Sequence, residues 1–299
     1  MHRWLTAPTP AAAYLLLTLT MVFWAGNFVV GRWAAGHVPP MTLACLRWTG
    51  AALLVLPLAW PHLARDRARL VASAPILALL GLTGSGLFNT LQYLALTETT
   101  AASAAILQSA GPALIALTGF ALYRDRAGSA ELAGILVSLT GVLVVVGHGS
   151  LATLAAFQLN RGDLVMLAAM VIWALYTVLL RRRPAVHALS FAAVTYAIAA
   201  LLNMPLAAIE HAAGARIEAS LPAWLAIAYT AIFPSFLAYL CFNRGVEIVG
   251  ATRAGVTMNL VPLFTAVLAI AALGEQPQPY HAVGFALIIA GVWLSARRR

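Results

Sequence analysis

Ser85, Phe88, Asn89 and Gln92 recur at intervals of three and four residues, which places them on one face of a helix. At a spacing of 150 residues they are matched by Ser235, Ala238, Tyr239 and Phe242. Amide, hydroxyl and phenol groups of this kind hydrogen-bond a neutral or zwitterionic solute, and they stand inside runs long enough to cross a bilayer. Polar groups are unfavourable against lipid and so turn toward the interior of a helix bundle. Two uses fit them there: lining a solute path, or hydrogen-bonding one helix to the next.

A second set surrounds two prolines. Pro112 and Pro262 fall near the middle of apolar runs, where each frees the carbonyl four residues back, at Gln108 and Met258. Ser109 and Asn259 stand beside them. Such a break offers backbone and side-chain polar groups to a ligand and a hinge to the helix, or it is a kink satisfied by neighbours. Trp24 and Trp173 lie at midplane depth, away from the interfaces where membrane tryptophans collect. With Asn27 and Tyr176 nearby, they form aromatic walls of a central cavity or fill a core. Arg47 is the one strongly charged residue well inside a run, placed to attract a carboxylate or to snorkel to the nearer interface.

Catalytic and cofactor chemistry find no foothold. The chain has no P-loop, no zinc-binding His-Glu-x-x-His and no nucleophile elbow, and Gly81-Leu-Thr-Gly84-Ser-Gly86 does not follow a strand as a dinucleotide fingerprint would. Cys45 and Cys241 have no metal or redox spacing and read as buried thiols. The seven histidines sit at the ends of runs, without metal-site spacing. Neither an enzyme, a metal site nor a cofactor is expected. A membrane-embedded enzyme recruiting Asp125, Glu131 and His148 is the weakest alternative, because their spacing suggests no mechanism; a channel or scramblase is another.

The elements that must position these residues follow from composition. With 62% of 299 residues apolar and 9% charged, the chain is a polytopic membrane protein. Ten apolar runs are read as helices, near 12–33, 41–60, 73–95, 100–122, 130–147, 163–180, 187–209, 222–243, 251–272 and 279–296. All 18 basic residues are arginines. A cytoplasmic N-terminus puts 14 of them inside (Arg3, Arg65, Arg67, Arg69, Arg124, Arg126, Arg181, Arg182, Arg183, Arg244, Arg253, Arg297, Arg298 and Arg299) against Arg32, Arg161 and Arg216 outside. That bias predicts both termini in the cytoplasm. The net charge of +9 is thereby a membrane-anchoring pattern, and nucleic acid is not an expected partner.

The runs also repeat. Trp24-Ala25 and Arg32 match Trp173-Ala174 and Arg181 at 149, Pro57-Leu58-Ala59 matches Pro205-Leu206-Ala207 at 148, and Ala101, Ala104, Pro112, Ala116, Asp125, Gly134 and Gly141 match Ala251, Ala254, Pro262, Ala266, Glu275, Gly284 and Gly291 at 150. Residues 1–150 and 151–299 therefore read as two five-helix repeats. Five is odd, so the copies are inverted, and Arg124 and Arg126 lack counterparts while Arg181–Arg183 answer a single Arg32. Inverted repeats build a midplane site that two gates expose in turn. Gly134, Ser138, Gly141, Gly284 and Gly291 are read as close helix packing.

The string Phe23-Trp24-Ala25-Gly26-Asn27-Phe28, then Leu46-Arg47-Trp48, Pro112 to Asp125, and Pro262 to Gly274-Glu275 with Gly284 and Gly291 resemble the EamA-type, ten-helix branch of the drug/metabolite transporter superfamily. The resemblance covers essentially the whole chain, and within the superfamily it is strongest to bacterial exporters of amino acids, YddG-type aromatic amino acid exporters among them. It implies an all-α integral membrane fold, ten transmembrane helices around a central cavity, a bacterial plasma (inner) membrane and alternating access. The expected partners are the lipid bilayer and a small-molecule substrate, an amino acid with an aromatic or hydrophobic side chain foremost; the oligomeric state is left open, a monomer being compatible. The expected binding set is Trp24, Asn27, Ser85, Phe88, Asn89, Gln92, Gln108, Ser109, Trp173, Tyr176, Tyr239 and Asn259, with Pro112 and Pro262 as hinges.

Overall fold

The computed structural model describes residues 9–34, 36–99, 104, 107–147, 149–155, 160–273 and 278–296. Arg3, Ala101, His148, Gly274, Glu275 and Arg297–Arg299 lie outside the described residues, as do the side chains of Arg32, Ala266 and His281. Among the described residues every regular element is helical. Of the described helices, six are long and apolar enough to cross a membrane, and shorter apolar helices accompany them.

The order is α1 (Pro10–Ala34), α2 (Pro40–Ala72), α3 (Ala74–Glu98), α4 (Gly111–Tyr123), α5 (Ser129–Val146), a short α6 (Leu151–Ala155), α7 (Arg161–Leu179), α8 (Ala188–Ala212), α9 (Leu221–Val249), α10 (Ala251–Val256), α11 (Leu260–Leu273) and α12 (Pro279–Ala296). Local signals begin and end them. Asn160 and Asp163 form a capping box at the start of α7, and the Ser220 side chain accepts the Ala223 N–H at the start of α9. Helix α2 runs on past residue 60, through Pro57 and Pro61 to Ala72, where a linker is expected from hydropathy. The added turns carry Arg65, Asp66, Arg67 and Arg69, which end the apolar run without ending the helix.

α2 fixes which groups share an end of the bundle. At one end Glu210 accepts the backbone N–H groups of Met41 (3.1 Å) and Thr42 (2.8 Å), and Glu218 N–H donates to the His37 carbonyl. At the other, Asp66 accepts the His187 N–H at 2.9 Å and Arg69 donates to the Ala185 carbonyl at 2.8 Å. Thr42 and Asp66 are separated by about 36 Å of helix at 1.5 Å per residue. The Asp66 end collects most of the described arginines, including Arg181 paired with Asp125, Arg183 and Arg244 with Glu247, and Arg253 with Glu131.

α2 packs along α8, α1 along α9, α3 along α7 and α5 along α12. The last pair approaches most closely: a β-carbon on Gly134 would meet the Gly291 carbonyl oxygen at 2.6 Å, and one on Gly291 would meet the Ser138 nitrogen at 2.5 Å. Glycine there lets backbone touch backbone, as expected for packing without a hydrophobic drive between helices.

Two helices open in the middle. Gly81–Leu87 of α3 and Ala231–Leu237 of α9, 150 residues apart, are π-helical. The wider turn frees carbonyls from the helical ladder. The regions around the two prolines are broken as well. Ser109–Ala110 form a turn before α4, whose second residue is Pro112, and a 3-10 turn at Thr257–Asn259 separates α10 from α11, which carries Pro262. A proline in the first turn of a new helix lacks only an N–H that had no partner to lose.

Candidate functional site

The freed carbonyls of the π turns are taken by side chains from across the bundle. Tyr239 O–H donates to the Gly84 carbonyl at 2.6 Å, and Trp24 Nε1–H donates to the Pro234 carbonyl at 3.1 Å. Gly84 and Pro234 are 150 residues apart, as are Asn89 and Tyr239. Asn89 Nδ2 donates to the Tyr239 hydroxyl at 3.0 Å, tying the two polar stripes together. Gly84 is also where the Tyr176 ring fits, since a β-carbon there would stand 2.3 Å from it.

Between the π turns lies a small cavity lined by Trp24, Asn27, Phe28, Arg47, Phe88, Asn89, Gln92, Gln108, Tyr239 and Met258. Its volume is about 10 Å³, at the lower limit for one water molecule. Aromatic side chains surround it closely. Trp173 is fully buried, with ring centroids 5.1 Å from Trp24, 4.8 Å from Phe88, 5.2 Å from Tyr176 and 5.1 Å from Phe242. Its Nε1 lies 3.2 Å from the Met258 sulfur. Among the described residues no hydrogen-bond partner reaches the buried Gln108 Oε1, Ser85 Oγ or Asn259 Oδ1.

Seven of the residues expected from the sequence line this cavity: Trp24, Asn27, Phe88, Asn89, Gln92, Gln108 and Tyr239. Trp173 and Tyr176 stand behind its wall as packing. Ser85 and Ser109 are buried outside the lining, and Asn259 donates to Ser138 Oγ at 2.7 Å, which ties α5 to the broken helix. The hinge prolines border it through Gln108 and Met258 rather than directly.

Each side of the cavity is closed by a tyrosine–asparagine bond. Toward the Glu210 end, Tyr93 O–H donates to Asn27 Oδ1 at 3.0 Å; toward the Asp66 end, Tyr176 O–H donates to Asn243 Oδ1 at 2.7 Å. Asn27 and Tyr176 are 149 residues apart and Tyr93 and Asn243 are 150 apart, so equivalent positions carry the exchanged residue types. The sequence contained this signal, because the same spacings that expose the repeat also align the two pairs. Beyond the Tyr176–Asn243 bond opens a vestibule of about 600 Å³, walled by Asn243, Thr177, Arg181, Arg183, Pro184 and Glu247 among others.

Arg47 joins the opposite closure. It is 1% exposed and does not snorkel. Its Nε donates to Ser235 Oγ (2.5 Å), one terminal nitrogen to Tyr93 Oη (2.7 Å) and Asn27 Oδ1 (3.3 Å), and the other to the Pro234 carbonyl (3.3 Å). His187, which precedes the first residue of α8, stacks on His62 of α2 with ring centroids 3.6 Å apart. Partial burial, with the neighbouring His62 adding to it, holds the His187 imidazole below the ordinary histidine range.

A family model described as the EamA-like transporter family matches residues 11–147 and again 160–297. The chain belongs to that family. As a member of the EamA-like family it is a membrane transporter rather than an enzyme. It is 32% identical over 288 residues to an uncharacterized transporter of Archaeoglobus fulgidus, covering 96% of this chain and 98% of the relative. It is 24% identical to the aromatic amino acid exporter YddG of Ancylobacter novellus, over 92% of this chain and 94% of the relative. A crystal structure of a protein 23% identical superposes with a TM-score of 0.78 over 96% of each chain, which shows a shared fold.

Proposed function

We propose that this EamA-like transporter exports small neutral or zwitterionic metabolites, amino acids with aromatic or hydrophobic side chains foremost, by alternating access. The observation that carries the reading is a cavity of aromatic and amide groups shut on both sides, with a wide vestibule beyond the Tyr176–Asn243 bond. A channel would have a continuous bore. A phosphate carrier would set paired cations at the centre, whereas the lining has one arginine among neutral groups. Similarity to an aromatic amino acid exporter supports the same substrate class.

The architecture behind this reading is ten transmembrane helices in two inverted repeats, residues 1–150 and 151–299, in a bacterial plasma membrane with both termini cytoplasmic. Supporting it are the two stretches matched by the family model, the paired π turns 150 residues apart, and the arginines gathered at the Asp66 end. With that end cytoplasmic, the vestibule faces the cytoplasm, where an exporter loads. Alternating access then breaks the Tyr176–Asn243 bond to admit substrate and the Tyr93–Asn27 bond to release it. The twelve residues read from sequence form the binding region, with Trp173, Tyr176, Ser85, Ser109 and Asn259 shaping it from behind.

Counterflow in proteoliposomes tests the proposal. Labelled L-phenylalanine outside should enter faster, and saturably, when the vesicles are preloaded with unlabelled L-phenylalanine, because one site is shuttled between faces. Linear, non-saturating flux without this trans effect would indicate a passive channel.

A further inference from the structure

We propose that Arg47 is the residue that receives the substrate's carboxylate, and that the orphaned Gln108 Oε1 accepts its ammonium, so that the cavity selects α-amino acid zwitterions. The inference rests on the carrier reading above and names which end of the solute is read by which side chain.

A guanidinium withdrawn from water is ordinarily paired with a carboxylate, because neutral dipoles recover only part of the lost hydration. Arg47 is 1% exposed, and among the described residues no ion pair reaches it. Its acceptors are all neutral: a serine, a tyrosine, an asparagine and a backbone carbonyl. They are also unequal. The 2.5 Å bond to Ser235 and the 2.7 Å bond to Tyr93 hold the group in place. The bonds to Asn27 and to the Pro234 carbonyl are both 3.3 Å, and they come from the two terminal nitrogens that present a bidentate fork to a carboxylate. A substrate carboxylate would replace the two weak bonds and leave the two strong ones.

The position is specific to one half of the chain. At the spacing of 148 that aligns Pro57 with Pro205, Arg47 corresponds to Thr195, whose hydroxyl is spent on the Phe191 carbonyl of its own helix at 2.9 Å. Trp48, the next residue, corresponds to Tyr196, and both are buried aromatics. Packing is thus duplicated across the halves while the charge is not, as expected if the charge serves a ligand that has one carboxylate. Gln108 lines the same cavity, is 3% exposed, and its Oε1 has no partner among the described residues. An unpaired buried amide oxygen is costly, and an ammonium group would satisfy it. Trp24 and Tyr239 line the same cavity, and aromatic rings there add cation–π attraction for an ammonium group.

The test is competition for binding to the purified full chain by L-phenylalanine, L-tryptophan and L-leucine, each beside its carboxamide and its decarboxylated amine. The wild-type protein should bind the acids about tenfold to a hundredfold more tightly than either analogue, the range set by hydrogen bonds to a charged group. Arg47→Gln should lower affinity for the acids to that of the amides and leave the amides unchanged; Arg47→Lys should recover part of the loss, as a point charge without the fork. A structural role would weaken acid and amide alike. Equal wild-type affinity for acids and analogues would overturn the assignment of Arg47 while leaving the carrier reading intact, and this arm needs no variant to fold. Absence of binding by all three acids, with no counterflow, would overturn both.

Discussion

On the Glu210 side of the cavity Tyr93 donates to Asn27; on the Asp66 side Tyr176 donates to Asn243, and donor and acceptor have exchanged places in the sequence. The two closures differ in what stands around them. The first is joined by Arg47, which bonds both of its members and anchors them to Ser235 and Pro234 of the π turn in α9. The second is one bond between neutral groups, with a vestibule of about 600 Å³ beyond it. Hydrogen bonds to a charged group contribute about 1.5–3 kcal/mol each, and a neutral pair about 1 kcal/mol. Equivalent positions therefore yield a strong closure and a weak one, and the vestibule lies beyond the weak one.

The sharpest way to break this comparison is to remove both side-chain acceptors of one Arg47 nitrogen. Asn27→Leu combined with Tyr93→Phe leaves part of a buried guanidinium unpaired and should destabilise the protein by about 3–5 kcal/mol, read as a lowered thermal unfolding midpoint in detergent. A loss no larger than that of Tyr176→Phe would mean that the two closures are equal in strength.

Tyr176→Phe should have a smaller effect, about 1 kcal/mol, because Asn243 borders the vestibule and regains water. Its consequence is access. With Cys45 and Cys241 replaced by alanine, a cysteine at Gln108 should react with a polar thiol reagent about fivefold faster in Tyr176→Phe than in the parent, which is the population shift that 1 kcal/mol gives. An unchanged rate would show that the Tyr176–Asn243 bond is not what separates vestibule from cavity.

The smallest effect concerns the rim of the vestibule end. The folded-state pKa of His187 lies below its unfolded value of about 6.5, so its contribution to stability is present above that pH and is lost as pH falls through the folded value. The unfolding midpoint should therefore fall between pH 7.5 and 5.5 slightly less in His187→Gln than in wild type. A steeper fall in the variant would reverse the assigned sign.

Much of this arrangement was legible from residue types and spacing. Inward-facing Asn89, Gln92 and Tyr239 follow from the cost of polar groups against lipid, and the broken segments beside Pro112 and Pro262 follow from a missing N–H. The extent of α2 was not legible, because hydropathy reports where lipid ends rather than where helical hydrogen bonding ends. The π turns leave hydropathy unchanged, so Gly81–Gly86 showed only as a cluster of glycines. Arg47 was ambiguous for a different reason: snorkelling and burial differ in what neighbouring helices offer, and Ser235, Tyr93 and Pro234 are far from it in sequence. Trp173 stands one layer behind the lining, a distinction of packing that depth along a helix does not resolve.

The π turn of α3 also constrains chain length. It accommodates within Gly81–Leu87 one residue more than an α-helical path would need. Deleting a single residue there would restore a regular helix at little local cost, because the wide turn already absorbs the advance of about 100° that an extra residue brings. Ala74–Leu80 and Phe88–Glu98 would keep their phase relative to one another, so Asn89 and Gln92 would still face the cavity, while the Gly84 carbonyl that accepts the Tyr239 hydroxyl would return to the helical ladder. A one-codon deletion therefore removes the wide turn and its bond across the bundle while leaving the polar stripe in register, which no single substitution in the segment does.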